Sequence, residues 1–347
     1  MIYMQRCLQL ASISGGNVAP NPMVGAVLVV GDKIIGEGFH RKYGQPHAEP
    51  NAINSVKDKA LLKSATLYVN LEPCSHYGKT PPCAHLIVKC GIPRVVIGTL
   101  DPNPKVSGRG VKILQNAGID VTVGILEEDC NELNKRFFIF QREKRPYILL
   151  KWAQTNDGFM DNFRISKEQN PLQISNELTR QLTHKMRSEN QAILVSTNTV
   201  ILDNPSLTVR YWTGKNPIRI ALDRQGRIPD GYTLLNGQQP TLIFTENLKP
   251  NTDNLRFIYH KFDENSLLNL LNALFENLIH SVLVEGGSKL LHSFIEAGYW
   301  DEAHVEISDQ QIGEGVKAPV LSQIPDSITE IYTHKILRFK NRNKKFM

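Results

Sequence analysis

A chain of 347 residues, 41% hydrophobic and 21% charged, has the composition of a soluble globular protein, and at about 150 residues per domain it suggests two domains, each able to bury a core. Forty Lys+Arg against 34 Asp+Glu leave a net charge of +6, a slight excess partly gathered in Lys335, Arg338, Lys340, Arg342, Lys344 and Lys345, which reads as a solvated tail rather than a nucleic-acid arm. No apolar run approaches the ~18 residues of a membrane span, residues 1–7 lack the basic-then-apolar order of a signal peptide, and five scattered cysteines make no disulfide framework, so a cytoplasmic setting is expected, where paired cysteines more often bind metal.

Residues 24–30 (VGAVLVV) are expected as a buried strand, which Gly31-Asp32 turns into a hairpin partner over 33–38. There follow a helix over 47–57, a strand over 65–70, and a helix opened by Pro81-Pro82 and stopped at Cys90-Gly91. Next come a strand over 94–98, a helix over 106–117 stopped by Gly118, and a strand over 119–124. This alternation predicts a sheet covered by helices. Residues 126–141 read as one helix with apolar positions at Leu126, Leu133, Phe137 and Phe140. The run Arg142-Glu143-Lys144-Arg145-Pro146 marks a domain boundary. Beyond it, strands are expected at 147–153, 192–196, 218–222, 241–245 and 281–284, and helices at 175–187, with Ser175 as N-cap, 266–278 and 288–297. The two halves are both α/β but share no motif.

One constellation carries chemistry. His47-Ala48-Glu49 is followed by Glu72-Pro73-Cys74 and, nine residues after Cys74, by Cys83. One imidazole and two thiolates suit Zn²⁺ with a fourth position left for water, whose pKa zinc lowers toward neutrality. A carboxylate that is not a ligand must then shuttle protons, and Glu49 stands two residues from His47. Zinc nucleobase deaminases use His-x-Glu followed by Pro-Cys-x-x-Cys; here the second part is Pro-Cys-x8-Cys. Pro50 is tolerable in a first helical turn, and Pro81-Pro82 place Cys83 at a helix start, which helps hold a thiolate. A lone His-x-Glu, or two cysteines nine apart, would mean little; the ordered combination is what points to a metal site. Cys7, Cys90 and Cys130 read as packing residues.

Pro20-Asn21-Pro22-Met23-Val24-Gly25, His47-Ala48-Glu49, the run from Leu71 through Ser75-His76-Tyr77-Gly78-Lys79-Thr80 to Cys83, and Asp101-Pro102-Asn103-Pro104 together resemble the deaminase half of the bifunctional riboflavin biosynthesis deaminase/reductase family. The resemblance implies a cytidine-deaminase-like three-layer α/β/α domain over residues 1–143, with His47, Cys74 and Cys83 holding zinc and Glu49 as proton shuttle. Asn21, His76, Lys79 and Asn103 would contact the substrate, 2,5-diamino-6-ribosylamino-4(3H)-pyrimidinone 5′-phosphate. An amide suits a base edge, and His and Lys suit a phosphate.

The second half is less distinctive. Val284-Glu285-Gly286-Gly287-Ser288-Lys289 lies between an expected strand and helix, where adjacent glycines admit close approach of a phosphate. It is not Gly-x-Gly-x-x-Gly, so a Rossmann dinucleotide site is not supported. Lys151 through Gly158 (KWAQTNDG), and Arg187 through Arg210 with its Thr-Asn-Thr-Val-Ile-Leu-Asp-Asn-Pro-Ser-Leu-Thr-Val-Arg run, resemble the reductase half of the same family. That implies a dihydrofolate-reductase-like α/β domain over 146–347 using NADPH to reduce the ribosyl group to ribityl. Ala153, Thr199, Asp203 and the turn Gly287, Ser288, Lys289, Leu290 would touch NADPH, and Arg187, Leu207, Arg210 and Glu285 the substrate. Asp203, in Asp-Asn-Pro, also reads as a turn residue.

Two positions depart from the family pattern: Gln173 stands where a Trp is usual, and Ser196 where Gly is frequent. They leave open an alternative in which the second half is a scaffold that has lost reductase activity. A deaminase of nucleic acid with an RNA-binding second half is the other rival, but that half has no basic run interleaved with aromatics. The expected partners are small-molecule substrates, with no nucleic acid and no membrane, and the protein is expected as a homo-oligomer.

Overall fold

The computed structural model describes residues 1–75, 81–103 and 107–342 and divides into two compact units, Met1–Lys144 and Arg145–Met347. In the first, the strands are β1 (Gly25–Val30), β2 (Lys33–Phe39), β3 (Thr66–Leu71), β4 (Arg94–Thr99) and β5 (Asp120–Val123). The helices are α1 (Ile2–Ile13), α2 (Ala48–Ser55), α3 (Cys83–Lys89), α4 (Arg109–Asn116), α5 (Glu127–Leu133) and α6 (Lys135–Glu143). The sheet order is β2-β1-β3-β4-β5. β1 is antiparallel to β2 and β3, while β3, β4 and β5 are parallel, with α3 and α4 as crossovers.

Successive side chains of β1 face opposite ways. Ala26 and Leu28 pack with Ala52, Ile53, Ala84, Ile87 and Leu114 of α2, α3 and α4. Val27 and Val29 pack with Met4, Cys7 and Leu10 of α1 and Cys130 of α5. Both faces are covered, which explains an unbroken apolar run in place of alternation and makes the unit three layers, α/β/α. At Gly25 the approach of α1 is so close that a Cβ would lie 2.1 Å from the Cys7 carbonyl oxygen.

The expected elements of this unit are present, with three differences. The helix expected over 126–141 is two helices, α5 and α6, broken at Asn134 (φ −105°, ψ 19°). The Asn134 side chain is buried and binds the Met23 main chain, Oδ1 accepting from N at 2.8 Å and Nδ2 donating to O at 2.9 Å. α4 starts at Arg109, after Gly108 in the left-handed region (φ +75°). α1 was not anticipated: Met4, Cys7 and Ala11 stand at helical spacing on its buried side, but Cys and Ala are weak apolar markers.

The second unit has β6 (Tyr147–Gln154), β7 (Phe159–Asp161), β8 (Ala192–Ser196), β9 (Ile218–Leu222), β10 (Thr241–Thr245), β11 (Leu255–Tyr259), β12 (Ser281–Val284), β13 (Glu302–Ile307), β14 (Val316–Lys317), β15 (Ser327–Ile331) and β16 (His334–Lys340). Its helices are α7 (Glu177–Glu189), α8 (Thr197–Asp203), α9 (Ser266–Glu276) and α10 (Ser288–Ala297). Nine strands form one sheet in the order β11-β10-β9-β8-β12-β6-β13-β16-β15, and β7 pairs with β14. The strands from β11 to β13 run parallel, β16 is antiparallel to β13, and β15 is antiparallel to β16.

On one face Ile148, Leu150 and Trp152 pack against Leu270 and Leu274 of α9 and Leu291 and Phe294 of α10. The opposite face is polar near the strand ends: His304 and Glu306 of β13 stand in register with Lys151 and Ala153 of β6. There α7 meets β13, with Met186 Sδ 3.2 Å from His304 Nδ1.

Three expectations are corrected in this unit. The N-cap of α7 is Asn176, whose side chain accepts from Thr179 N at 3.0 Å; the Ser175 hydroxyl instead donates to Glu306 Oε2 at 2.7 Å. The charged boundary run includes Arg145, which is buried and forms a two-pronged pair with buried Asp301 at 2.6 and 2.8 Å. The basic stretch near the end is not a solvated tail: Lys335, Arg338 and Lys340 belong to β16, an inner strand whose Ile336 and Phe339 are buried, and Arg342 pairs with Asp326 at 2.6 Å. Lys344 and Lys345 lie outside the described residues.

Candidate active sites

His47 is the N-cap of α2, Glu49 lies in that helix's first turn, and Cys83 opens α3 after Pro82. Cys74 follows the end of β3. Chain folding therefore brings three ligand-bearing termini together. His47 Nδ1 lies 3.4 Å from Cys83 Sγ and 3.6 Å from Cys74 Sγ, and all three atoms fall within 4.8 Å of one another. A tetrahedral zinc ion with Zn–S near 2.3 Å and Zn–N near 2.0–2.1 Å separates sulfur from nitrogen by roughly 3.6 Å, so the donor set fits zinc in both type and spacing.

The electrostatics favour a thiolate. The Cys83 thiol and main-chain N–H, the latter at 3.3 Å, both donate to Cys74 Sγ, and with His47 they bring its pKa down to about 4 against the opposing effect of burial. The same hydrogen bond to Cys74, together with burial, pushes Cys83 up. Glu49 is 3% exposed, and burial raises its carboxyl to about 7, the range in which a carboxyl both takes and returns protons at neutral pH.

Two segments flank this cluster, and both are held by buried side chains that reach main-chain atoms. The Asn21 segment is tied through Met23 and Gly25: Asn70 Oδ1 accepts from Gly25 N at 2.8 Å, Asn70 Nδ2 donates to Met23 O at 3.1 Å, and Asn134 adds its two bonds. The Asn103 segment is tied by Glu72. Its Oε2 accepts from Asp101 N at 3.1 Å and Gly108 N at 2.9 Å, and its Oε1 from Gly110 N at 2.8 Å and Val111 N at 3.3 Å. Asn70, Asn134 and His40 were not singled out from sequence, and Glu72 was singled out only as part of the Glu72-Pro73-Cys74 motif. Asn70 and Glu72 had a signal, as polar residues at the buried end of an apolar strand. His76 and Lys79 lie outside the described residues.

In the second unit, α7 and the turn after β12 meet through Arg187. Its Nε and Nη2 bond Glu285 Oε1 and Oε2 at 2.8 and 2.5 Å, and its Nη1 donates to Thr208 O at 3.1 Å. Burial works to raise the Glu285 carboxyl, but the Arg187 and Lys151 charges outweigh it and hold it below the usual value. His184 Nδ1 accepts from Arg210 N at 2.8 Å. Burial and the charges of Arg187 and Arg210 lower the His184 imidazole to about 4. Leu207 is buried at φ +54°, a conformation branched residues seldom adopt. Lys151, unassigned from sequence, joins this group, with Nζ 3.7 Å from Glu306 Oε2. Arg187, Glu285, Arg210 and Leu207 thus fall in one neighbourhood.

The residues expected around the nucleotide are only partly gathered. A Cβ on Gly286 would lie 2.9 Å from Thr199 Oγ1, and one on Gly287 2.5 Å from Ser196 Oγ. The glycine turn and the start of α8 are therefore in van der Waals contact. Ser196 caps α8 and bonds the Thr199 hydroxyl at 3.1 Å. Asp203, at the far end of α8, is engaged by Arg164 at 2.6 Å. The Ser288 hydroxyl donates to Lys317 O at 2.6 Å. The Leu290 side chain lies in the core, and Lys289 is exposed. Ala153 pairs with Glu306 across β6 and β13. Gln173 is exposed, its carbonyl accepting from Gln310.

Residues 2–99 match the family described as the cytidine and deoxycytidylate deaminase zinc-binding region, and residues 146–343 match the RibD C-terminal domain. The riboflavin biosynthesis protein RibD of Aquifex aeolicus (strain VF5) is 44% identical over 90% of this chain and 88% of its own length, and that of Bacillus amyloliquefaciens 42% identical over 92% and 86%. A diaminohydroxyphosphoribosylaminopyrimidine deaminase/5-amino-6-(5-phosphoribosylamino)uracil reductase from Thermotoga maritima superposes with a TM-score of 0.87 at 37% identity, with 98% of each chain covered. Acinetobacter baumannii RibD gives 0.84 at 32% identity, again over 98% of each chain. The first unit has the cytidine-deaminase-like fold and the second the dihydrofolate-reductase-like fold of the reductase. With both a zinc-binding deaminase domain and a reductase domain in one polypeptide, the chain belongs to the RibD family of riboflavin biosynthesis proteins.

Proposed function

We propose that this protein carries out two successive steps of riboflavin biosynthesis. The deaminase domain, 1–143, hydrolyses the 2-amino group from 2,5-diamino-6-ribosylamino-4(3H)-pyrimidinone 5′-phosphate. The reductase domain, 146–347, uses NADPH to convert the ribosyl side chain of the product to ribityl, giving 5-amino-6-ribitylaminouracil 5′-phosphate. The observation that carries the reading is the His47, Cys74 and Cys83 cluster beside buried Glu49, in one chain with a reductase domain.

His47, Cys74 and Cys83 would hold the zinc. Zinc, when bound, acidifies a water molecule so that it is a nucleophile near neutral pH. The Glu49 carboxylate takes the proton released there and passes one to the departing amine, which leaves as ammonia. Asn21 and Asn103 hold the pyrimidine, and His76 and Lys79 the phosphate. In the reductase half, NADPH supplies hydride. Thr199, Asp203, Ala153 and the turn from Gly287 through Ser288 and Lys289 to Leu290 hold the nucleotide. Arg187, Leu207, Arg210 and Glu285 contact the substrate; the Arg210 guanidinium suits its phosphate oxygens, while the Arg187 fork is held by Glu285. Ser196 supports Thr199 by capping α8, which favours a working nucleotide site over a bare scaffold.

A cytoplasmic location and a homo-oligomeric state belong to the same proposal. Five free cysteines suit a reducing compartment, and no helix among the described residues is long and apolar enough to cross a membrane. The edge strand β15 with exposed Ile328, followed by exposed Tyr332 in the turn to β16, suits contact with a like subunit. The test follows ammonia and NADPH separately on the purified protein. The wild type releases ammonia and then consumes NADPH. Glu49→Gln abolishes the first and, given the deaminated substrate, keeps the second. Ammonia without NADPH consumption overturns the reductase assignment; no ammonia from zinc-loaded wild type overturns the substrate.

A further inference from the structure

His40, at the end of β2, is 2% exposed, and both ring nitrogens are committed. Nδ1 lies 3.1 Å from the Pro46 carbonyl oxygen, which also receives an N–H from Asn51 Nδ2 at 3.3 Å. A carbonyl oxygen only accepts, so Nδ1 carries the proton. Asn21 presents its side-chain NH₂, which only donates, to the other ring nitrogen, so Nε2 is the bare acceptor. Nε2 stands 3.1 Å from the Asn21 side-chain nitrogen. An amide has one donating and one accepting end, and two acceptors repel, so the Asn21 amide is locked with its NH₂ toward His40. Its Oδ1 accepts no hydrogen bond from the described residues. The ring of His40 packs edge-on to His47, centroids 5.4 Å apart, so this amide stands one ring away from the proposed zinc ligand.

We propose that His40 is a positioning residue of the deaminase site: through its fixed tautomer it turns the Asn21 carbonyl oxygen outward, so that Asn21 selects a hydrogen-bond donor on the substrate, an exocyclic amine, ring N–H or ribose hydroxyl. This rests on the reading of Asn21 as a substrate contact. The main-chain ties at Met23 and Gly25 hold the Asn21 backbone; they leave the amide free to flip, and His40 removes that freedom. An unlocked amide offers the wrong end part of the time, which weakens substrate binding more than it slows the bound complex.

The test is a double-mutant cycle on ammonia release with Asn21→Ala, His40→Ala and the double variant. Each single variant is expected to lose about tenfold in kcat/KM, the value of one hydrogen bond. The loss should fall mainly in KM with zinc content unchanged, and the double variant should be no worse than Asn21→Ala. Losses that multiply to about a hundredfold, or loss of zinc from His40→Ala, overturn the proposal. Should His40→Ala not fold, ¹⁵N shifts of histidine-labelled wild type decide the tautomer directly. A protonated Nδ1 with bare Nε2 at His40 supports the lock, and the reverse overturns it. Absence of ammonia from the wild type counts against the proposed substrate and leaves the tautomer measurement valid.

Discussion

Glu72 offers a severe test of how the deaminase half is held together. Its carboxylate is 4% exposed and accepts from four main-chain N–H groups, those of Asp101, Gly108, Gly110 and Val111. Two of them open α4, where a negative charge is also favoured by the helix dipole. Glu72→Gln keeps the size but replaces one oxygen by an NH₂ group, which faces two N–H donors and bonds neither. Hydrogen bonds to a charged group contribute about 1.5–3 kcal/mol each, so losing two gives about 3–6 kcal/mol, against a total domain stability of about 5–15 kcal/mol. Trp152, Trp212 and Trp300, all three tryptophans of the chain, lie in the second unit. Their fluorescence therefore follows that unit, while zinc release to a chromophoric chelator follows the first. With a urea dependence of about 2 kcal/mol per molar, the zinc-release midpoint should fall by about 2 M while the tryptophan transition stays in place. A zinc-release midpoint unchanged in Glu72→Gln would refute the argument.

Other outcomes follow from the same geometry. Gly25→Ala places a Cβ 2.1 Å from the Cys7 carbonyl oxygen, so α1 must leave the sheet; the first unit should lose more than about 3 kcal/mol, read as earlier zinc release in urea. Arg187→Lys keeps the charge but not the two-pronged bond to Glu285; KM for the NADPH-dependent step should rise about tenfold with ammonia release unchanged. Burial lowers His184, with Arg187 and Arg210 adding to the effect, and burial lowers His280, each to about 4. The unfolded chain therefore binds more protons than the folded one between about pH 6.5 and 4. The stability these two neutral rings contribute is fully present above pH 6.5 and is lost as pH falls toward 4, about 2–3 kcal/mol each. The tryptophan urea midpoint should drop between pH 7 and 4.5, and a flat midpoint would contradict it.

The metal cluster was legible because its signal is local: His47, Glu49, Cys74 and Cys83 each stand at a helix start or strand end that residue patterns announce. The strands of the first unit were legible because apolar runs bounded by Gly and Pro mark them. What escaped the sequence depends on distant partners. Asn134 ends a helix because its amide is needed by Met23, 111 positions away. Arg145 looks like linker charge until Asp301 buries it. β16 is hidden under lysines and arginines because its buried His334, Ile336 and Phe339 are interleaved with exposed Lys335, Arg338 and Lys340. His40 carries no motif, and its role follows from Pro46 and Asn21 being on either side of it.

The ties made by Asn70, Asn134 and Glu72 all end on main-chain atoms. Amide N–H and C=O groups are common to almost every residue, so these fastenings are indifferent to which side chains the tethered segments carry. The side chains of Asn21 and Asn103 can be exchanged while the main-chain atoms of Met23, Gly25, Asp101 and Gly108 stay fastened. The site is therefore evolvable in a particular way: the vocabulary that reads the substrate can be rewritten position by position, while the frame that aims it stays as it is.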